Sequence, residues 1–347
     1  MKQYDEIIIF GANGWLGKNL LDQFDLKIKK DNNSNLIAVV EQESQKIELE
    51  DFKKSINRII DADITNIKEL DFLKKNNGDR LIIHCASVIH PKNIKQFYKV
   101  NYFGTKNIID MSKHSSANTT FLYISSNSPF GLNKSNQASD TFDEQSEYRP
   151  YMKYGFTKML AEKEVIKLDT QNFKFCIIRA PWFYGKYQPA RQFEFFKMIK
   201  DGKVPLIGSG KNKRSMISVQ SLAKAVWLSA CNKKAENNIF WIADKNPYKM
   251  KDIIDTIRQV MDKDFHVITR AGYIKLPNFI SEIAFYTDKL LQSLGLYNQK
   301  IHVLSEMNKN IHCSVSKAEK LIGFNPEISL RNSLLESIQE AIDKKAI

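Results

Sequence analysis

Several features that define common protein classes are scarce or missing in this sequence. Its 347 residues include only four cysteines and six histidines. No two cysteines form a CxxC pair and the histidines show no ligand spacing, so we predict no disulfide framework and no metal site, and expect a reducing compartment. No apolar run reaches the ~18 residues of a membrane-spanning helix, so we predict no integral membrane segment. The cysteines are Cys85, Cys176, Cys231 and Cys313.

The excess of positive charge is not organised for nucleic-acid binding. The formal net charge is +13, but the lysines are scattered and usually lie beside Asn, Asp or Glu. No RNA-recognition, zinc-finger or basic-helix motif is present, so we expect no nucleic-acid partner. Residues 1–10 lead directly into an apolar strand, without the h-region of a signal peptide, which predicts a cytoplasmic location.

Short apolar segments alternate with longer amphipathic segments in the first half of the chain. Continuous apolar strands separated by helices are typical of a parallel sheet that is covered on both faces. Right-handed crossovers between such strands give a doubly wound α/β fold of the Rossmann type. The predicted strands are 6–10, 36–40, 81–86, 121–126 and 175–180, with helices at 15–25, 66–76, 93–114 and 155–169.

The alternation weakens after residue 180, which indicates a second lobe. Residues 216–230 still predict a short strand and a helix, and residues 238–243 predict another strand. A nucleotide-binding lobe is therefore predicted from residues 1–180 and about 214–245. A smaller, mainly helical C-terminal substrate lobe is predicted from residues 181–213 and 246–347.

The segment FGANGWLG places Gly11, Gly14 and Gly17 between the first predicted strand and the first predicted helix. Gly11 permits a tight turn, Gly14 lets the backbone approach a pyrophosphate, and Gly17 lets helix and strand pack closely. The helix then directs its free N–H groups at the phosphates. In this strand–loop–helix context the pattern predicts a dinucleotide site. The same loop contributes Asn13, Trp15 and Leu16.

An acidic side chain after the second strand predicts which dinucleotide is bound. In LIAVVEQES, Glu41 lies 24 residues after Gly17, near the usual spacing of about 20. A carboxylate at this position binds both ribose hydroxyls and repels a 2′-phosphate, which favours NAD over NADP without excluding NADP. Glu43 is the second choice for this role, and a solvated charge at a strand end is the alternative.

The segment YGFTK supplies a candidate acid/base. Tyr154 and Lys158 lie four residues apart and therefore share one face of a helix. Because a nearby ammonium favours the ionised phenol, we expect the pKa of Tyr154 to be lowered for proton transfer. Ser126 ends a predicted strand in FLYISSNSPFG, where it would hold the substrate oxygen against the tyrosine.

Further segments follow these motifs in a recognisable order: DADITN (61–66), HCAS (84–87), VNYFGTKNII (100–109), YISSNSPFG (123–131), IIRAPWFYG (177–185), GSGKNKRSMISV (208–219) and SKAEKLIGFNPEISLRNSL (316–334). Together with the glycine loop and YGFTK, they make the chain resemble the extended short-chain dehydrogenase/reductase family, of the NAD-dependent epimerase/dehydratase type. The resemblance covers nearly the entire chain.

The resemblance implies a role for each matching residue. The glycines wrap the pyrophosphate, Lys158 holds the nicotinamide ribose, and Asn101 stabilises the central helix. The other cofactor contacts that it implies are Asp63 and Ile64 at the adenine, Ala86 and Ser87 in the cleft, and Pro181 near the carboxamide. Catalysis is assigned to Ser126, Tyr154, Lys158 and Asn101. Substrate contacts are assigned to Asn127, Ser128, Arg191 and Arg214.

Two departures from the family pattern bear on the reaction and on the substrate. Asn127 and Ser128 follow the catalytic hydroxyl, where family dehydratases carry an Asp–Glu pair and decarboxylating members tend to carry an acid. Elimination of water is therefore disfavoured. Gln220 and Ser221 stand where sugar-nucleotide members usually carry an Asp–Asp-like pair.

The predicted substrate lobe gives mixed signals about the substrate. Lys211, Lys213 and Arg214 suit a diphosphate, or form a solvated basic loop. The aromatic segments WFYG (182–185) and FEFF (193–196) suit a base or a sugar ring, or belong to the core.

Segment 276–296 predicts an amphipathic helix with a broad apolar face. Such a face usually packs against the core. The alternative is a lid over a lipid-like or sterol-like substrate, in contact with a membrane surface. The apolar residues are Leu276, Phe279, Ile280, Ile283, Leu290, Leu291 and Leu294.

These patterns predict an NAD-dependent oxidoreductase or epimerase that acts on a secondary alcohol, with a nucleotide sugar as the leading small-molecule substrate. The first alternative is a 3β-hydroxysteroid-dehydrogenase-like enzyme acting on a sterol or lipid alcohol. The second, from another class, is a dinucleotide-sensing scaffold without turnover. The resemblance also implies a homodimer formed through helices 93–114 and 155–169.

Overall fold

A parallel sheet forms the centre of the computed structural model, which describes residues 2–24, 34–75, 78–135 and 137–347. The strands, in chain order, are β1 (Glu6–Phe10), β2 (Asn35–Val40), β3 (Arg58–Asp61), β4 (Asp79–His84), β5 (Asn118–Ser126), β6 (Phe173–Ala180), β7 (Trp182–Tyr184), β8 (Pro205–Ile207), β9 (Lys213–Arg214), β10 (Met216–Ser218), β11 (Asn238–Trp241), β12 (Tyr248–Lys249) and β13 (Ile274–Leu276).

Seven of these strands pair in the order β11-β6-β5-β4-β1-β2-β3. Every neighbouring pair in this sheet is parallel. The chain leaves β1 toward β2 and β3, then crosses back to β4, so the strand order reverses between β1 and β4. Ligands of doubly wound sheets bind at such a reversal, beyond the carboxyl ends of the strands. The predicted fold class is confirmed.

Helices cover both faces of the sheet and build the C-terminal part of the chain. The α-helices are α1 (Trp15–Gln23), α2 (Thr105–Ser112), α3 (Met152–Ile166), α4 (Ala190–Lys200), α5 (Val219–Ala230), α6 (Met250–Asp264), α7 (Phe279–Ser293), α8 (Gln299–Glu306), α9 (Ser316–Ile322) and α10 (Leu330–Asp343). The predicted helix at 66–76 is a 3-10 segment, Ile67–Lys74, and the predicted helix at 93–114 begins with a π-helical turn, Phe97–Gly104. Residues 25 and 76, at the ends of two predicted helices, lie outside the described residues.

Alternate residues of β1 point into two separate cores. Ile7 and Ile9 pack with α1, α5 and α9 on one face of the sheet. Ile8 and Phe10 pack with α2 and α3 on the other. All four side chains are fully buried, as expected for a parallel strand that is covered on both sides.

A third core lies away from the sheet and joins α4, α6 and α10. Phe193 and Phe196 of FEFF are buried in it, so these two aromatic residues belong to the core. This grouping is consistent with a second lobe, and the division into lobes stays a prediction. Phe324, assigned to that lobe by the prediction, instead packs in the core around α1 and α5.

The amphipathic helix predicted at 276–296 is present as α7, but its apolar face does not pack against the core. Phe279, Ile283, Leu290 and Leu294 are between 57% and 67% exposed. Leu276, Ile280 and Leu291 are only half-buried. The expectation of core packing is therefore wrong for most of this face. Within the described part of the chain, no helix combines the length and the apolarity needed to cross a membrane.

Candidate active site

The glycine loop turns tightly from the end of β1 into α1. Gly11 adopts a φ of +83°, a conformation that strains other residues. A Cβ atom on Gly17 would lie 2.2 Å from the carbonyl oxygen of Gly11, so only glycine lets α1 pack this closely on the loop. The first turn of α1 carries no acidic residue and has no side-chain cap. Its free N–H groups and the narrow cradle above them fit the pyrophosphate of a dinucleotide.

Trp15 ties the amino end of α1 to the segment after β7. Its indole Nε1 donates a hydrogen bond to the carbonyl oxygen of Lys186 at 2.8 Å. Its ring packs against Phe183 of the WFYG segment, with ring centroids 4.7 Å apart. The side-chain amide of Asn19 donates to the same Lys186 carbonyl oxygen at 3.0 Å. These contacts fix one wall of the cleft that begins at the glycine loop.

At the carboxyl end of β2, Glu41 is exposed and lines the cleft, whereas Glu43 does not. The backbone N–H of Glu41 donates to the side-chain oxygen of Gln45 at 3.0 Å, which holds the turn after the strand. The carboxylate of Asp63 accepts hydrogen bonds from the N–H and the hydroxyl of Thr65, both at 2.8 Å. Asp63 therefore stabilises the turn in which it lies. Its neighbour Ile64 lines the same cleft.

A single cleft of about 570 Å³ joins these regions to the predicted catalytic residues. The predicted residues that line it are Gly11, Asn13, Gly14, Trp15, Leu16, Gly17, Glu41, Asp63, Ile64, Ala86, Ser87, Tyr154, Lys158 and Arg191. The predicted residues that do not line it are Asn101, Ser126, Asn127, Ser128, Pro181 and Arg214.

Tyr154 lies near the start of α3, where this helix packs closely on the segment after β5. A Cβ atom on the next residue, Gly155, would lie 2.3 Å from the carbonyl oxygen of Ser128. The phenol lies beside the hydroxyls of Ser126 and Ser87. Burial raises the pKa of Tyr154, while the interaction with these two hydroxyls and the charge of Arg191 oppose the shift. The net direction is upward.

Lys158 is buried and does not lower the pKa of Tyr154 in the way that we expected. Its Nζ donates to the backbone carbonyl oxygen of Ile124 at 2.6 Å and lies 4.2 Å from the ring centroid of Tyr123. Burial lowers the pKa of Lys158 to about 7. Because the amine is directed at a carbonyl and is only partly charged near neutral pH, the expected lowering is not found.

Asn101 is almost fully buried in the π-helical turn and fixes the backbone at Val88. Its side-chain oxygen accepts from the N–H of Val88 at 2.8 Å and from the hydroxyl of Ser87 at 3.1 Å. Its side-chain amide donates to the carbonyl oxygen of Val88 at 2.9 Å. Asn101 thus positions Ser87, whose hydroxyl lies beside the phenol of Tyr154.

Tyr297, from the C-terminal part of the chain, lies beyond the phenol of Tyr154 and is separated from it by Phe97. The hydroxyl of Tyr297 and Nδ1 of His90 form a hydrogen bond of 2.6 Å. Phe97 packs between Tyr297 and Tyr154, at 5.6 Å and 5.9 Å between ring centroids. Arg214 is paired with Glu306 at 3.6 Å, so its guanidinium already has an acidic partner.

The sequence did not reveal several residues of the cleft. Tyr187, Gln188 and Pro189 line it from the loop before α4, and Glu340 and Lys344 reach it from the end of the chain. The backbone N–H of Tyr187 donates to the carboxylate of Glu340 at 3.0 Å, which links the two segments. No local motif marks them, because they meet the cleft only through the packing of α10. Over the described residues, no group of three His, Cys, Asp or Glu side chains is arranged to hold a metal ion.

The model of the NAD dependent epimerase/dehydratase family matches residues 7–243. The uncharacterized protein y4nL of Sinorhizobium fredii is 36% identical, over 96% of this chain and 94% of that protein. UDP-glucose 4-epimerase of Vibrio cholerae is 21% identical over 97% and 96% of the two chains. The decarboxylating sterol-4-alpha-carboxylate 3-dehydrogenase ERG26 of Saccharomyces cerevisiae is 22% identical over 97% and 98%.

Among solved structures, UDP-glucuronic acid 4-epimerase from Bacillus cereus in complex with NAD shares the fold, with a TM-score of 0.73. It is 16% identical and the match covers 99% of this chain and all of that one, 100%. The family match extends from β1 through β11 and includes the glycine loop, Ser126, Tyr154 and Lys158. The chain therefore belongs to the NAD dependent epimerase/dehydratase family, which confirms the predicted enzyme class and NAD as its cofactor.

Proposed function

We propose that the enzyme oxidises a secondary alcohol reversibly, with Tyr154 as the acid/base. The observation that carries this proposal is the cleft itself, which is continuous from the glycine loop to Tyr154 and Lys158. The two ends of that cleft suit the two halves of a dinucleotide. A phenol at the nicotinamide end has a chemical task only if a proton moves there.

The proposed cofactor contacts follow the cleft from end to end. Asp63 and Ile64 border the adenine, Glu41 accepts hydrogen bonds from the ribose hydroxyls, and the loop of Gly11, Asn13, Gly14, Trp15, Leu16 and Gly17 surrounds the pyrophosphate. Ala86, Ser87 and Lys158 lie at the nicotinamide half. Pro181 was expected near the carboxamide but does not line the cleft, whereas Gln188 and Pro189 do.

In the proposed reaction, the phenolate of Tyr154 takes the proton of the substrate hydroxyl. Bound NAD would supply the hydride acceptor for the carbon that carries this hydroxyl. Ser126 donates a hydrogen bond to the reacting oxygen and keeps it beside the phenol. Burial holds the pKa of Tyr154 above its ordinary value, and the positive charge of Arg191 opposes this shift and favours the phenolate.

The residues after Ser126 limit the reactions that are proposed. Ser126 and Ser128 form a hydroxyl–hydroxyl hydrogen bond of 3.4 Å, and Asn127 lies between them. None of the three supplies the carboxylate that elimination of water requires. We therefore propose oxidation, ketone reduction or epimerisation through a ketone.

A nucleotide sugar is the leading proposed substrate, in keeping with the activity named for the Vibrio cholerae relative. Arg191 at the cleft is the proposed contact for an acidic group of this substrate. Two observations favour a sterol or lipid alcohol as the second candidate. Arg214 is already paired with Glu306, which weakens its predicted role toward a diphosphate, and the apolar face of α7 is exposed.

Replacement of Tyr154 by phenylalanine tests the proposed chemistry. We expect Tyr154→Phe to bind NAD like the wild type in isothermal titration calorimetry and to lose at least about 100-fold in kcat. Tyr98→Phe is the matched control, because Tyr98 lies on the π-helical turn and does not line the cleft. Wild-type turnover by Tyr154→Phe would overturn the mechanism.

The substrate class is tested separately by thermal shift. UDP-, GDP- and dTDP-sugars and a set of sterols are each added with NAD or with NADP. Protection by a nucleotide sugar supports the leading candidate, and protection by a sterol alone replaces it with the second.

Two further predictions remain proposals: a cytoplasmic location, and a homodimer through α3 and the Phe97–Ser112 helix, where Phe103 and Phe156 are 52% and 36% exposed.

A further inference from the structure

Five apolar side chains form a continuous stripe along the outer face of α7. We name them the apolar stripe: Phe279, Ile283, Tyr286, Leu290 and Leu294. Their spacing of three or four residues places them on one side of the helix. Each is between 57% and 67% exposed, and Leu296, two residues beyond the stripe, is 56% exposed. Single exposed apolar residues are common, but a full-length stripe on one helix marks a binding surface.

The buried face of α7 is mainly polar and its exposed face is apolar. This is the reverse of the usual arrangement, in which an amphipathic helix buries its apolar face. Asp288 is fully buried and bonds Nδ1 of His302 on α8 at 2.7 Å. The side-chain amide of Gln292 donates to both oxygens of Asp288 at 3.0 Å. Ser281 is also fully buried and donates to the carbonyl oxygen of Ser305 at 3.2 Å. These bonds fix the rotation of α7 and hold its stripe outward.

The charges around the stripe are positive. Between residues 275 and 300, the exposed cations are Lys275, Lys289 and Lys300. The exposed acid in this span, Glu282, forms an ion pair with Lys309. The remaining acid, Asp288, is buried against His302. In sequence, the stripe is therefore flanked by exposed lysines, and the net positive charge of this segment complements an anionic partner.

The stripe is also connected to the catalytic tyrosine. It ends at Leu294, three residues before Tyr297. Tyr297 packs edge-on against Phe97, and Phe97 packs against Tyr154. Tyr297 is held in place by its hydrogen bond to His90. Whatever binds the stripe therefore lies a few side chains from the reacting phenol.

We propose that the apolar stripe docks the enzyme on the surface of an anionic lipid bilayer. An amphipathic helix with apolar residues on one side and lysines at its margins lies in the plane of such a surface and buries its apolar face below the headgroups. A second copy of the chain fits less well, because a symmetric contact would bring the same lysines face to face. The docking is independent of the reaction at Tyr154.

Sedimentation of the full chain with vesicles tests the docking. We expect binding to vesicles of phosphatidylcholine and phosphatidylglycerol, weaker binding to phosphatidylcholine alone, and weaker binding at high salt. Leu290→Glu is expected to reduce the partition coefficient by about tenfold, and Lys289→Glu by a smaller factor. Ile47→Glu is the matched control, since Ile47 is 72% exposed in the segment Glu43–Phe52, away from α7.

The outcomes separate docking from catalysis and from folding. Tyr154→Phe is expected to bind vesicles like the wild type, so a failed mechanism leaves this proposal standing. Wild-type NAD affinity in Leu290→Glu ensures that lost vesicle binding is not a loss of fold. The proposal is overturned if the wild type does not bind anionic vesicles, or if Leu290→Glu and Ile47→Glu bind equally. The proposal is also overturned if the wild type forms a dimer that does not bind vesicles and Leu290→Glu dissociates it, because the stripe would then be an interface between two copies of the chain.

Discussion

The cleft and the α7–α8 pair are built on opposite rules. Around the cleft, apolar residues of β1 and β4 are fully buried and polar groups lie at the strand ends. In the α7–α8 pair, the buried residues of α7 include Ser281, Asp288 and Gln292, and the large apolar residues face outward. In the first region, burial of apolar area stabilises the fold. In the second region, the apolar area stays exposed and is available to bind another surface.

The two regions therefore obtain their stability from different interactions. The sheet region depends on close packing, so added volume disturbs it. The α7–α8 pair depends on a few buried polar bonds, so loss of one partner leaves the other unsatisfied. Changes at exposed apolar positions of α7 should then alter binding more than folding. Four substitutions test these statements and follow in decreasing order of their expected effect.

Gly17→Ala is expected to have the largest effect, because it adds volume in the closely packed region. The new Cβ would lie 2.2 Å from the carbonyl oxygen of Gly11. We expect a loss of about 3–4 kcal/mol in the free energy of unfolding and about 100-fold weaker NAD binding. Urea unfolding and calorimetry measure both. Gly323→Ala is the control for backbone strain without a clash, since a Cβ there meets nothing within 4 Å and its φ of +66° should cost only about 1–2 kcal/mol; equal losses in the two variants would contradict the packing argument.

Asp288→Ala is expected to cost about 2–3 kcal/mol in the free energy of unfolding, because it leaves buried His302 and Gln292 without their shared partner. Burial lowers the pKa of His302, but its bond to Asp288 and the charge of Glu306 outweigh this and raise it. The variant should therefore also lower that pKa, which NMR titration measures. Glu282→Ala, at an exposed ion pair with Lys309, should change stability by less than about 0.5 kcal/mol. Similar costs for both would show that the buried bonds are not what holds α7.

Raising the pH is expected to stabilise the cofactor-free enzyme relative to Lys158→Met. Burial lowers the pKa of Lys158 from 10.5 to about 7 in the folded chain, so between these values the unfolded chain binds more protons. Stability therefore rises with pH across this window, by up to about 1.4 kcal/mol per pH unit. Urea unfolding of both proteins at pH about 8 and about 9, one unit apart, measures the effect. A difference that does not change with pH would contradict a buried, depressed lysine.

Leu290→Ala is expected to have the smallest effect on folding, within about 0.5 kcal/mol, because the side chain is 60% exposed. The same substitution at Leu20, which is fully buried in α1, should cost about 3 kcal/mol. Thermal and urea unfolding of the two variants give the comparison directly. If Leu290→Ala costs as much as Leu20→Ala, α7 packs its apolar face inward in solution and the contrast between the regions disappears.

The strands were predictable where both faces are buried. β1, β2, β4, β5 and β6 each contain a continuous apolar run, and the predicted bounds agree closely with the observed ones. β3 was missed, because its sequence RIID has polar residues at both ends and lies at the sheet edge, where its side chains are exposed or half-buried. The length of an apolar run therefore reports how deeply a strand is buried.

The cleft lining formed by the glycine loop, Glu41 and Tyr154 was predictable because these residues lie within local motifs. Glu340 and Lys344 were not, since they reach the cleft only through the position of α10. The sequence pattern also did not predict the direction in which the apolar face of α7 points. Helical spacing identifies which residues share a face, but the direction of that face depends on the bonds of Asp288 and Ser281 to α8.

The position of Trp15 has a practical consequence. Its indole lines the cleft at the pyrophosphate cradle, whereas Trp182, Trp227 and Trp241 do not line the cleft. Reduced NAD absorbs light at the wavelengths that indole emits, so energy transfer from this ring is expected to make the intrinsic fluorescence of the unlabelled enzyme an optical gauge of cofactor occupancy. Trp15→Phe, which keeps an aromatic ring beside Phe183, would remove most of that signal.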